Sequence, residues 1–172
     1  LGNHLLKAGR PDEGLPHLEK VARSAEAFPE AHLVLGTHYY KVNDLPRAQA
    51  ALEKYLVSRP DDVAARGTLG NAYFKSEKYP EAMRAFEEVR RVSPDNIQVQ
   101  INLGTCHFQL GNYAKAVALL KGALEKDPQR ESVVFNLGQA YFQWKKYPEA
   151  TEQLRKFVTM KPDSFNGHYF LG

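Results

Sequence analysis

LGNAYFKSEKYPEAMRAF, residues 69–86, holds two helix-period patterns separated by a turn. Leu69 and Tyr73 stand four apart, one helical turn, with the small Gly70 between them. Ala82 and Phe86 repeat that spacing on a second segment. Pro80 falls where a first-turn proline gives up no N–H that the helix needs. The stretch reads as helix, turn, helix, and the bare surface at Gly70 lets a second helix approach closely.

The same pattern recurs every 34 residues on both sides of this stretch. Gly2, Gly36, Gly70, Gly104, Gly138 and Gly172 each follow a leucine. Three residues beyond each glycine stands Leu5, Tyr39, Tyr73, His107 or Tyr141, and twelve beyond stands Gly14, Ala48, Ala82, Ala116 or Ala150. Pro60, Pro94, Pro128 and Pro162 close the units, whereas the first unit has Glu26 at that place. Asn43-Asp44 and Gly111-Asn112 signal turns inside the hairpins, and Pro46 and Pro148 match Pro80. Asp61, Asp95 and Asp163, each directly after a closing proline, are expected to cap the next helix.

These columns resemble the tetratricopeptide repeat, whose Leu-Gly-x2-Tyr, Ala-x3-Phe and closing-proline signature has this period. The resemblance covers the whole chain. It implies an all-α, right-handed α-solenoid of about five stacked hairpins, one array over 1–172: a truncated repeat 1–28, then 29–62, 63–96, 97–130 and 131–164, with 165–172 opening a further one. The usual bulky aromatic three residues before the leucine is replaced by His32, Arg66, Gln100, Val134 and His168. A lone hairpin cannot bury its apolar face, so stability is a nearest-neighbour sum. The last segment, with Tyr169-Phe170-Leu171, is too short to be stable alone and is expected to dock on the hairpin before it, leaving an apolar end. The chain starts without Met and opens and closes on Leu-Gly, which suggests a piece of a longer array.

Composition excludes several classes. With 43% hydrophobic and 25% charged residues the chain is neither disordered nor membrane-spanning, and its apolar runs are far shorter than the ~20 residues of a bilayer span. Residues 1–10 lack the character of a signal peptide. A net charge of +3 is too small to argue for nucleic acid. The single Cys106 rules out an internal disulfide framework and fits a reducing compartment without requiring one; the sequence carries no address, and a soluble, cytoplasmic setting is only slightly favoured.

Function is expected on a second face of each first helix. Four residues after the glycines run Leu6, Tyr40, Phe74, Phe108 and Phe142; two before the leucines run Leu33, Gly67, Ile101, Phe135 and Tyr169. At ~100° per residue these lie opposite the Leu-Gly-x2-Tyr face, where a helix that merely met water would be polar. Among them stand the amides Asn71, Asn102, Asn136, Gln139, Gln109 and Gln143, each both donor and acceptor and so suited to gripping an extended backbone. Lys7, Lys41 and Lys75, five after their glycines and followed by Gln109 and Gln143, make one half of this edge basic and suggest a partner with acidic residues. In the family resembled, these positions line a concave groove that holds peptides or helices. The asparagines resemble the ladder of O-linked N-acetylglucosamine transferases, interrupted here at Val34 and Thr68. The basic constellation with which some members grip a C-terminal carboxylate has no counterpart among Leu33, Val34, Ala64, Gly67, Gln98 and Asn102.

Signs of catalysis are missing. The six histidines form no metal-ligand spacing with a carboxylate, and Cys106 and His107 diverge by ~100° on a helix. His38 and His107 read as packed histidines of the inward face, and the glycines are too dispersed for a phosphate loop. Arg90-Arg91 and Lys145-Lys146 read as solvated charge on an outer helix or its turn. The expected protein is therefore no enzyme and needs no cofactor or metal. It binds an extended peptide or amphipathic helix in the groove, without nucleic acid and without inserting into a membrane. The alternatives are a structural unit that self-associates through its ends, or the recruiting arm of an enzyme whose catalytic domain lies elsewhere.

Overall fold

The structure is a computed structural model and describes residues 1–24 and 28–169, apart from the side chains of Lys7, Arg23, Ser24 and His168. The turn at Glu26 and the Phe170-Leu171 tip, on both of which the sequence made an expectation, lie outside the described residues. Every element among the described residues is helical. The chain divides into two compact units, Leu1–Val92 and Ser93–Gly172.

The first unit holds α1 (Gly2–Lys7), α2 (Pro11–Ser24), α3 (Pro29–Lys41), α4 (Leu45–Ser58), α5 (Val63–Lys75) and α6 (Tyr79–Val92). They pack in pairs, α1 on α2, α3 on α4 and α5 on α6, and each pair touches the next through α2–α3 and α4–α5. The second unit holds α7 (Ile97–Gln109), α8 (Tyr113–Lys126), α9 (Glu131–Gln143), α10 (Tyr147–Met160) and α11 (Phe165–Tyr169), with pairs α7–α8 and α9–α10 joined through α8–α9. Helices α3, α5, α7, α9 and α11 start 34 residues apart, as the leucine–glycine period requires.

The glycines earn that period by packing. A Cβ on Gly36 would fall 2.7 Å from Leu52, on Gly70 2.7 Å from Phe86, on Gly104 3.0 Å from Leu120 and on Gly138 2.8 Å from Leu154. All four partners are 0–1% exposed. Each hairpin thus closes by seating one large side chain of its second helix on the bare backbone of its first. In the first unit Leu35, Tyr39, Ala48 and Ala72 form one core cluster and Leu52, Tyr55, Leu56 and Leu69 another. In the second, Ile101, Val117, Leu120, Val133 and Leu137 form the core.

The signature tyrosines do more than pack. Tyr39 Oη donates to Glu19 on α2 at 2.6 Å, and Tyr73 Oη donates to Glu53 on α4 at 2.5 Å, each tying a first helix to the preceding second helix. Burial, then the facing carboxylate, pushes both phenols above the usual tyrosine range. Tyr141, whose corresponding partner position is Lys121, has no such carboxylate in the sequence.

The helix caps correct the sequence expectation by one residue. Asp62, not Asp61, caps α5 by accepting from the Ala65 N–H at 2.9 Å, and Asn96, not Asp95, caps α7 by accepting from the Val99 N–H at 3.1 Å. At the last helix the Gly167 N–H is bonded at 3.3 Å by Ser164, not by Asp163. The closing proline and the residue after it are spent on the turn, so the capping geometry arrives one position later. Asp95 instead pairs with Lys126 at 2.8 Å. Asp62 also accepts from Tyr55 Oη at 2.7 Å, and the Ala65 N–H followed by the Tyr55 hydroxyl holds its carboxyl below the ordinary range. The α11 segment does dock on α10: Gly167 is buried, 2.7 Å in Cβ terms from Val158, while Phe165 and Tyr169 stay 80% and 70% exposed.

Inside every hairpin the turn places one residue at positive φ: Gly9 (74°), Asn43 (62°), Glu77 (59°), Gly111 (74°) and Lys145 (60°). This left-handed conformation costs an ordinary L-residue roughly 1–2 kcal/mol. Glu77→Gly should therefore raise stability by about 0.5–1 kcal/mol in urea unfolding, after glycine's extra chain entropy is subtracted. Asn43→Gly should change much less, since asparagine tolerates the region. A lower midpoint for Glu77→Gly would disprove the strain.

Candidate functional site

In the first unit, the face of the first helices away from the hairpin core is not closed. A pocket of about 440 Å³ lies between α1 and α3, lined by Asn3, Leu6, Leu33, Val34, Thr37, His38 and Lys41. Its wall is apolar at Leu6, Leu33 and Val34, and its rim polar at Asn3, His38 and Lys41. Thr37 turns its hydroxyl back to the Leu33 carbonyl at 2.8 Å. Three-to-four spacing along α3 produces the alignment, since Leu33, Thr37 and Lys41 share one stripe. The Asn3 and Thr37 column was not singled out in the sequence, although Asn71, one position after its own glycine, belongs to it.

The remaining positions expected here in the first unit divide by depth. Tyr40 is half-buried against the Leu35–Tyr39 cluster, and the Lys75 ammonium sits over its ring, 4.6 Å from the centroid. Lys41 and Lys75 are exposed. Phe74 and Asn71 are half-buried, with the Phe74 ring edge-on to Tyr79 at 5.6 Å. Lys7 lies on α1, and its side chain is outside the described residues.

In the second unit one expectation fails. Ile101 is 6% exposed and belongs to the core, clustered with Val117 and Leu120 of α8 and Val133 and Leu137 of α9. Phe135 is half-buried, its ring 4.8 Å from Phe157 of α10, so much of that side chain is used inside its own hairpin. Farther along the helices the rings come out. Phe108 is half-buried near Tyr113 (6.0 Å), and Phe142 is 37% exposed beside Tyr147 (5.8 Å). Asn102 accepts from Gln98 at 2.9 Å. Asn136 and Gln139, three apart on α9 and half-buried, have no hydrogen-bond partner among the described residues, and Gln109 and Gln143 are exposed. These amides are available to a ligand.

Elsewhere the chemistry is quiet. Cys106 is fully buried, and burial pushes its thiol up to about 12, so no thiolate forms near neutrality. His107 is 8% exposed, and His38 lies on the pocket rim. Among the described residues no group of histidine, cysteine and carboxylate side chains could hold a metal ion, and no helix is long and apolar enough to cross a membrane.

A family model described as tetratricopeptide repeat matches residues 5–72, 44–101, 73–130 and 107–168. No curated protein is significantly similar to the chain. Several solved structures are. MamA AMB-1 is 28% identical with a TM-score of 0.81, covering 99% of this chain and 93% of that one. MamA from Desulfovibrio magneticus RS-1 (residue 41 to the end) is 24% identical with a TM-score of 0.83, covering 95% and 93%. YrrB, described as a TPR protein with an unusual peptide-binding site, is 19% identical with a TM-score of 0.88, covering 98% and 87%. These likenesses show the fold, an all-α solenoid of helical hairpins. Since the repeat model spans nearly every hairpin described above, the chain belongs to the tetratricopeptide repeat family and is a scaffold for protein interaction.

Proposed function

We propose that the chain binds an extended peptide or an amphipathic helix of a partner protein along the free face of its first helices. The observation that carries this reading is the α1–α3 pocket, an apolar socket with a polar rim, sized for one or two side chains of a ligand. Supporting it are the half-buried to exposed rings Tyr40, Phe74, Phe108 and Phe142, and the unengaged amides Asn136 and Gln139. Lys41 and Lys75 favour a ligand with acidic residues on the side that meets α3 and α5. Recognition of this kind works by helix-in-groove anchoring or backbone gripping and involves no bond-making step.

The test is an affinity pull-down from the source lysate with the wild-type chain beside a Leu33→Ala, Phe74→Ala, Asn102→Ala, Phe108→Ala variant, which alters the pocket as well as the rings, once circular dichroism shows both folded. Truncating two ring contacts should weaken binding by several hundred-fold, since aromatic anchors are worth about 2 kcal/mol each and about 1.4 kcal/mol is tenfold. The partner should then be lost from the variant. Equal recovery would sink the groove reading. It would shift weight to self-association through the α11 end, the second reading, which rests on the exposed Phe165 and Tyr169 rings stacked at 6.3 Å.

A further inference from the structure

The turn edge of the second unit carries a different surface. Trp144, the sole tryptophan, follows α9 and is 39% exposed. It forms one wall of a pocket of about 330 Å³ whose other wall is the α7–α8 turn from Gly111 to Lys115. Tyr147, three residues on, is 54% exposed. The Lys146 ammonium stands over the indole, 5.6 Å from its centroid. Neither Lys115, Lys145 nor Lys146 forms an ion pair among the described residues.

Charge sets this edge apart from its counterparts. In the two turns of the second unit, residues 110–115 and 144–149, Lys115, Lys145 and Lys146 face a single acid, Glu149. In the three equivalent turns of the first unit, Arg10, Arg47 and Lys78 are outnumbered by Asp12, Glu13, Asp44, Glu77 and Glu81. There the arginines are also neutralised locally, Arg10 by Glu13 at 2.6 Å and Arg47 by Asp44 at 2.5 Å. Solvation alone gives no reason to gather unpaired lysines around the chain's one exposed indole.

We propose that this edge is a second docking surface, separate from the free face of the first helices, and that it takes an acidic segment of a partner protein with an apolar side chain inserted against Trp144. The pocket admits one such side chain, and glutamate or aspartate residues on either side of it reach Lys115 and the Lys145-Lys146 pair. An acidic segment satisfies the lysines, and the inserted side chain desolvates the exposed indole face.

Trp144 reports its own occupancy. The intact chain is titrated with a capped peptide of alternating glutamate and leucine, with its glutamine–leucine analogue and with a thymidylate oligomer, while indole emission is followed. The glutamate peptide should give a saturating blue shift that weakens as salt rises toward roughly 0.3 M, where the Debye length is shorter than at physiological strength. Lys145→Gln together with Lys146→Gln should weaken that binding about fivefold or more, on the scale of one to two partly exposed ion pairs. Lys121→Gln together with Arg84→Gln, a matched loss of two charges on the exposed sides of α8 and α6, should leave it unchanged. No shift with the glutamate peptide, an equal shift with the glutamine analogue, or unchanged binding by the Lys145→Gln, Lys146→Gln variant would overturn the proposal. So would a response to the oligomer alone, which would make the edge a nucleic-acid site.

Discussion

Phe86→Ala should destabilise the first unit by about 3–5 kcal/mol, the range for emptying a fully buried aromatic site. Phe86 is 1% exposed and fills the space over Gly70, whose hypothetical Cβ would stand 2.7 Å from its ring edge. Gly70→Ala attacks the same contact from the other side. Overpacking costs about 1–3 kcal/mol, offset by a gain of up to ~1 kcal/mol because alanine is the better helix former. The informative measurement is the double variant. With the ring removed, the new methyl has room, so urea unfolding should show Gly70→Ala as neutral or stabilising in the Phe86→Ala background. That corresponds to a coupling of ~1 kcal/mol or more between the sites. Strict additivity would mean that the leucine–glycine column is not set by this close approach.

Gln49→Met should cost about 1–3 kcal/mol, the loss expected when a buried amide with several bonds is replaced by an apolar isostere. Gln49 is 5% exposed on α4 and reaches the end of α5: its Nε2 donates to the Ala72 carbonyl at 3.2 Å and to Ser76 Oγ at 2.7 Å, while its Oε1 accepts from Lys78 Nζ at 2.8 Å. Gln49→Glu should cost more. A carboxylate has no hydrogen to offer the Ala72 carbonyl and carries charge into a buried place, relieved only in part by Lys78. Amide hydrogen exchange should quicken at residues 76–78 in both variants. A midpoint for Gln49→Met within ~0.5 kcal/mol of wild type would show the clasp to be incidental.

What the sequence revealed follows from what repeats. Leucine, glycine and the alanine twelve residues on recur because every hairpin closes the same way, so the fold was legible from the period. Features made by one residue in one repeat were not. The column that holds Gln49 carries Leu15, Met83, Val117 and Thr151 elsewhere, and nothing in it announces a buried amide. Ile101 reads as a ligand contact because helical angle gives direction but not what lies in that direction, and side chains of α8 and α9 cluster with it. The left-handed turn position was visible in Gly9, Asn43 and Gly111 but disguised by Glu77 and Lys145. The capping aspartates were misplaced by one because Asp61 and Asp62 are adjacent and only backbone geometry chooses between them. Lys145-Lys146 reads as solvated charge in the sequence because the pocket beside it pairs Trp144 with the α7–α8 turn, one repeat earlier along the chain.

Among the described residues the main contacts within each unit join neighbouring helices or neighbouring hairpins, as where α3 touches α5 and α7 touches α9. Ribosomes add about 5–20 residues per second, so a 34-residue hairpin takes seconds to appear, whereas packing built from such local contacts forms in microseconds to milliseconds. Within each unit a newly made hairpin can therefore settle on its finished neighbour before the following one leaves the exit tunnel. Translation speed would then impose no wait on the fold, and inserting or deleting a whole 34-residue module in the gene would leave the neighbours' folding order intact.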